Sequence, residues 1–165
     1  MTGSVWMRSV MVIPVCALTT LGAIVGPVGA SEAEEFFRQG YKAFVERDWN
    51  EAIKWYDRSI QLDPRNPEVY VQRAIAYETI NKLDQAIADY RRALKLKPDY
   101  YLAMEYLGNL YTRTGEYTRA INMYSRALTM VHDPKWRAII QWWISEVQKK
   151  REAARESANR GHTGE

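Results

Sequence analysis

Cysteine occurs once in these 165 residues, at Cys16, and histidine twice, at His132 and His162. A lone cysteine near the start leaves the rest of the chain without a disulfide or a thiolate metal site. The two histidines lie in a loop and in the tail, outside any catalytic motif. There is no His-Glu-x-x-His pair, nucleophile elbow or cysteine–histidine cluster. The nine glycines are scattered, so no glycine-rich phosphate loop is present. An excess of one charge is missing too: 23 lysines and arginines face 20 acids, a formal net charge of +3. A nucleic-acid binder shows a stronger electrostatic footprint than that. Arg91, Arg92, Lys95 and Lys97, and the basic run 149–151, read as solvated helix exterior. The expectation is a non-enzymatic chain with no metal, no cofactor and no nucleic-acid partner.

Charge is absent altogether from residues 9–31, between Arg8 and Glu32. Val28, Gly29 and Ala30 offer the short side chains a signal peptidase inspects, so residues 1–30 read as an export signal cleaved after Ala30. The competing reading is a retained membrane anchor, since about 20 residues at 1.5 Å each cross a hydrocarbon core of roughly 30 Å. Both readings place the remainder outside the cytoplasm, periplasmic or secreted if cleaved and otherwise tethered through residues 9–30.

What the chain does have is a period of 34. Ala52, Ala86 and Ala120 recur at that step, as do Ile53, Ile87 and Ile121, and Tyr56, Tyr90 and Tyr124. Gly40, Ala74 and Gly108 keep it with small residues. A fixed period in this range means one supersecondary unit stacked on copies of itself. Within the middle unit, Tyr70, Ala74 and Tyr77 fall on one helix face, and Ile87, Tyr90 and Leu94 on another. Asn81 suits the turn between them, Asp84 is the expected N-cap of the second helix, and Pro98 ends it. Ala74, Ala86 and Ala93 are placed to let the two helices approach closely.

On these residues, with Trp49, Pro64, Leu83, Leu107, Tyr111, Gly115, Tyr117 and Ala127, the chain resembles the tetratricopeptide repeat family. The resemblance implies an all-α solenoid of three antiparallel helix pairs at 33–66, 67–100 and 101–134. An apolar signal or anchor helix precedes them. A capping helix follows over 135–156, its stripe formed by Trp136, Ile139, Ile140, Trp143, Ile144 and Val147, and a disordered tail covers 157–165. Arg47 departs from the pattern where Asn81 and Gly115 make the turn, at about 1 kcal/mol if a positive φ is required there.

In that family the first helix of each unit lines a concave groove. Carried over residue by residue, the groove candidates are Phe37, Tyr41 and Phe44, then Val71, Gln72 and Ile75, then Leu102, Glu105, Tyr106, Asn109 and Arg113, with Glu34, Glu68 and Glu78 among them. Members that hold acidic chaperone tails carry a cationic cluster in this groove, whereas Phe37, Tyr41, Gln72, Leu102 and Tyr106 occupy those places here. The expected function is a protein-interaction scaffold outside the cytoplasm that binds a protein or peptide partner through an aromatic groove and helps assemble an envelope complex. The alternatives are a membrane-tethered assembly factor and an accessory domain of an enzyme complex. Two readings of the groove aromatics stay open, partner contact and internal packing, and the open first unit suggests self-association.

Overall fold

A computed structural model describes residues 28–162 of the protein. Its helices are α1 (Val28–Val45), α2 (Trp49–Leu62), α3 (Pro67–Thr79), α4 (Leu83–Leu96), α5 (Tyr101–Arg113), α6 (Tyr117–Met130) and α7 (Pro134–His162). They pack in pairs, α1 with α2, α3 with α4 and α5 with α6, and each pair leans on the next. The expected signal or anchor helix lies outside the described residues up to position 27. Among the described helices none is long and apolar enough to cross a membrane.

Local chemistry explains where the helices begin. Asp48 Oδ1 accepts the Glu51 N–H at 3.0 Å to start α2, and Asn66 Oδ1 accepts the Glu68 N–H at 3.0 Å ahead of Pro67, which opens α3. Asp133 Oδ1 accepts from the Lys135 and Trp136 N–H groups before α7. The cap expected at Asp84 is not there. α4 starts at Leu83, and Asp84 sits in its first turn, where its charge faces the positive end of the helix dipole.

The three intra-pair turns share one conformation. Arg47, Asn81 and Gly115, one repeat apart, have φ of +66°, +60° and +79°. Arg47 therefore adopts the left-handed geometry that the pattern requires, at a cost of roughly 1 kcal/mol relative to glycine.

Small residues set how near the helices come. Ala52, Ala74, Ala86, Ala93 and Ala120 are fully buried. A Cβ on Gly40 would lie 2.6 Å from the Tyr56 ring. Tyr56 and Tyr124 thus thread beneath Gly40 and Gly108, and in the middle unit Tyr90 and Ala74, at the same repeat positions, are both fully buried in one core cluster. Ser59 Oγ donates to the Ala33 carbonyl at 2.7 Å and ties the ends of the first pair together.

An ion network crosses the first two units. Arg73 on α3 forks onto Asp89 of α4, with both bonds at 2.7 Å, and reaches Asp57 of α2 at 2.5 Å. Asp89 is buried, and its carboxyl is pushed up by that burial against the opposing pull of Arg73. Burial likewise opposes the charge on Arg73, but the bonds to Asp89 and Asp57 outweigh it and raise its pKa.

α7 closes the stack against α6. Ile140 and Val147 are buried, the Trp143 ring lies 5.5 Å from that of Tyr124, and Arg137 donates to the Leu128 and Val131 carbonyls at 2.9 Å each. The expected stripe is only partly used. Trp136 and Ile139 are exposed, as is Trp142, because this last described helix packs chiefly on α6, which covers one side of it. The tail expected to be disordered from 157 instead continues α7 to His162, since residues 152–160 hold three alanines and no glycine or proline. At the other end α1 starts at Val28, ahead of the unit boundary placed at Ala33 and across the cleavage point placed after Ala30.

Candidate functional site

The first helices α1, α3 and α5 carry the groove candidates, and the structure sorts these by their surroundings. Tyr41 and Leu102 stand in solvent, 53% and 45% exposed. Ile75, Tyr106 and Arg113 meet in one hollow of ≈ 370 Å³, together with Glu78 and Thr79. Phe37 and Phe44 are half-buried: the Phe37 ring lies 5.9 Å from that of Tyr56, and Phe44 meets Trp49 edge-on at 4.9 Å. Val71 is a correction. It is 2% exposed and belongs to the core, because it sits on the face of α3 that packs inward with Ala74. Gln72 and Glu105 are half-buried outside that hollow, and Asn109 is exposed.

A polar relay fixes the floor of the hollow. Glu78 pairs with Arg113 across α3 and α5, and Tyr90 Oη donates to Glu78 Oε2 at 3.2 Å. The Tyr90 ring stacks on Tyr106 at 5.9 Å and 13°. Burial, and then the neighbouring Glu78 charge, push the Tyr90 hydroxyl well above the usual phenol range. One unit on, Tyr124 Oη donates to Asn109 Oδ1 at 2.7 Å. In the first unit Phe44 stands 34 residues before Glu78, and Tyr56 Oη is buried with no partner among the described residues. The threaded tyrosines thus deliver their hydroxyls to the first-helix side. Thr79 and this relay escaped the sequence reading. The signal available was the recurrence of Tyr56, Tyr90 and Tyr124 opposite small residues.

The arrangement has the character of a binding surface. It offers exposed apolar side chains on rigid helices, a stacked aromatic pair, and a fixed carboxylate–guanidinium pair at one edge. Among the described residues no group of three histidine, cysteine, aspartate or glutamate side chains is arranged to hold a metal ion.

Comparison with known proteins agrees with the repeat architecture. A family model described as "Tetratricopeptide repeat" matches residues 71–134, and another described as "TPR repeat" matches residues 46–81. The chain is 39% identical over 71 residues to Protein STIP1 homolog of Dictyostelium discoideum, 43% of this chain and 13% of that protein. It is 29% identical over 119 residues to small glutamine-rich tetratricopeptide repeat-containing protein 2 of Saccharomyces cerevisiae, 72% of this chain and 34% of that one. The chain therefore spans between 13% and 34% of the length of these relatives. Among solved structures, the TPR2B domain of yeast Sti1 in complex with pHsp70 superposes with a TM-score of 0.67 at 25% identity, covering 73% of this chain and 99% of that one.

These findings overturn the export and membrane-anchor expectation. Relatives include the Hsp70-Hsp90 organizing protein 3 of Arabidopsis thaliana and DnaJ homolog subfamily C member 7 of Homo sapiens, both named for chaperone systems. The extracytoplasmic address is withdrawn, and the envelope complex with it. Two repeat models together match residues 46–134, and three helix pairs repeat at a step of 34, so the chain belongs to the tetratricopeptide repeat family.

Proposed function

We propose that the chain is a non-enzymatic protein-interaction scaffold that holds a partner segment along the face built by α1, α3 and α5. The observation that carries this reading is that the first helices carry both exposed apolar side chains, Tyr41 on α1 and Leu102 on α5, and a hollow lined by Ile75, Glu78, Thr79, Tyr106 and Arg113 of α3 and α5. Exposed apolar side chains and a partly polar hollow carried on the same set of helices suit an extended or helical peptide with apolar side chains. The relatives named for organising Hsp70 and Hsp90, and the repeat domain solved with pHsp70, support peptide capture as the task. The partner segment here is apolar and aromatic in character, because the positions of the cationic clamp hold Phe37, Tyr41, Gln72, Leu102 and Tyr106.

The test is Tyr41→Ala with Leu102→Ala, both side chains exposed. Partner recovery should fall at least tenfold while the melting temperature moves little. Unchanged recovery would remove the first-helix face from the function. Phe37 is a poor probe, since its ring packs on Tyr56 and its loss confounds binding with stability.

A further inference from the structure

The other face of α5 borders a second concavity, between α4 and α6. Two adjoining hollows of ≈ 210 and ≈ 270 Å³ share Arg91, Tyr111 and Met123. Their floor is apolar, with Leu94, Leu107 and Tyr111 buried. Their rim is cationic, carrying Arg91, Lys95, Arg119 and Arg126, and no carboxylate lines either hollow. Arg91 and Lys95 are exposed and have no acidic partner among the described residues. Arg126 donates only to the Pro98 carbonyl, at 3.2 Å. Arg119 pairs with Glu116, and its guanidinium lies 5.7 Å from the Tyr111 ring centre.

The same place one repeat earlier explains what such a rim wants. Thirty-four residues before Arg91, Leu107 and Met123 stand Asp57, Arg73 and Asp89. There the chain answers its own guanidinium with two carboxylates, at 2.5 and 2.7 Å, so the crevice between α2 and α4 is electrostatically self-satisfied. Between α4 and α6 the charge is inverted: a free arginine replaces Asp57, and the Arg73–Asp89 pair becomes a leucine and a methionine.

We infer that the α4–α6 crevice is a second docking surface, for an acidic segment of a partner protein. A glutamate or aspartate of that segment meets Arg91 with Lys95 or Arg126, and an adjacent aliphatic side chain rests on Met123 and Leu107. An arginine fork matches a carboxylate geometrically, and the apolar floor distinguishes a peptide from a simple polyanion. The rim charges are solvent-exposed, so binding is shared among several contacts and weakens with salt. This surface is independent of the first-helix face.

The test uses the full chain with methyl-labelled methionines, titrated with a blocked peptide of alternating glutamate and leucine. The Met123 signal, assigned through Met123→Leu, should shift saturably while buried Met104 stays still. Arg91→Asp should weaken binding about tenfold, a change of the size seen for charge-assisted hydrogen bonds. Tyr41→Ala with Leu102→Ala should leave it unchanged, which separates this inference from the proposed function. The inference is overturned if Met123 does not shift, if a glutamine–leucine peptide or tripolyphosphate alone shifts it equally, if Arg91→Asp binds as well, or if the Tyr41/Leu102 variant abolishes binding.

Discussion

The ring of Tyr124 lies so close beneath Gly108 that a Cβ added there would sit 2.6 Å from Cε1. Alanine in place of glycine within a helix ordinarily gains about 1 kcal/mol. Here the added methyl forces the ring or the α5 backbone to move, and overpacking of that kind costs typically 1–3 kcal/mol. Gly108→Ala should therefore lower stability in denaturant unfolding despite its better helix propensity. A stabilised variant would mean that the ring is free to yield.

Arg73 and Asp89 form a buried pair whose loss is asymmetric. Arg73→Leu leaves the Asp89 carboxylate uncompensated, and breaking such a pair costs roughly 3–5 kcal/mol. The third unit already solves the same positions with Leu107 and Met123. Arg73→Leu with Asp89→Met should accordingly recover most of the loss, with Asp57 left in water. Thermal or chemical melts of the single and double variants decide this.

The threaded tyrosines differ in their partners, so their hydroxyls should differ in worth. Tyr90→Phe removes the bond to Glu78 and should cost about 1 kcal/mol. Tyr56→Phe removes a buried hydroxyl with no partner among the described residues, and should be neutral or slightly stabilising. Equal costs at both sites would contradict the relay described for the middle unit.

These same hydroxyls predict alkaline sensitivity. Burial is the first cause raising Tyr56, Tyr90 and Tyr124 above the ordinary value of 10.0, and Tyr101 is pushed up to about 12 by burial and the nearby Glu105. A group whose folded pKa is raised contributes stability that is complete below the unfolded pKa and is lost as pH rises toward the folded one. Stability should be flat up to about pH 10, as far as these groups go, and fall above it. Tyrosinate absorbance should rise together with the loss of the helical circular dichroism signal. Ionisation of these rings in a chain that stays helical would show them to be accessible.

The repeat was legible because its defining residues are local and periodic. Ala52, Ala86 and Ala120 specify helix contacts wherever they stand in the stack, and Asn81 and Gly115 mark turns that Arg47 then shares. The candidate site was legible only in part. Val71 and Ile75 lie four residues apart on α3, yet one is core and the other lines the hollow, because a helix between two neighbours buries more than half its circumference. The Asp57–Arg73–Asp89 network joins three helices of two units, and its members are individually unremarkable charges. A clue was present in their spacing: opposite charges recur at a step of 16, the separation of facing positions on consecutive helices. The extent of α7 was missed for a simpler reason, that residues 152–160 contain nothing to stop a helix before Gly161.

The most direct measurement places a photo-crosslinking amino acid at Tyr41, at Leu102 and, as a control on the outer side of α2, at exposed Lys54, in the full chain expressed in its own host. A discrete adduct with one partner from positions 41 and 102, and none from position 54, is the expected result. Equal adducts from all three positions, or adducts only with a second copy of the chain, would contradict a partner-binding role for the first-helix face.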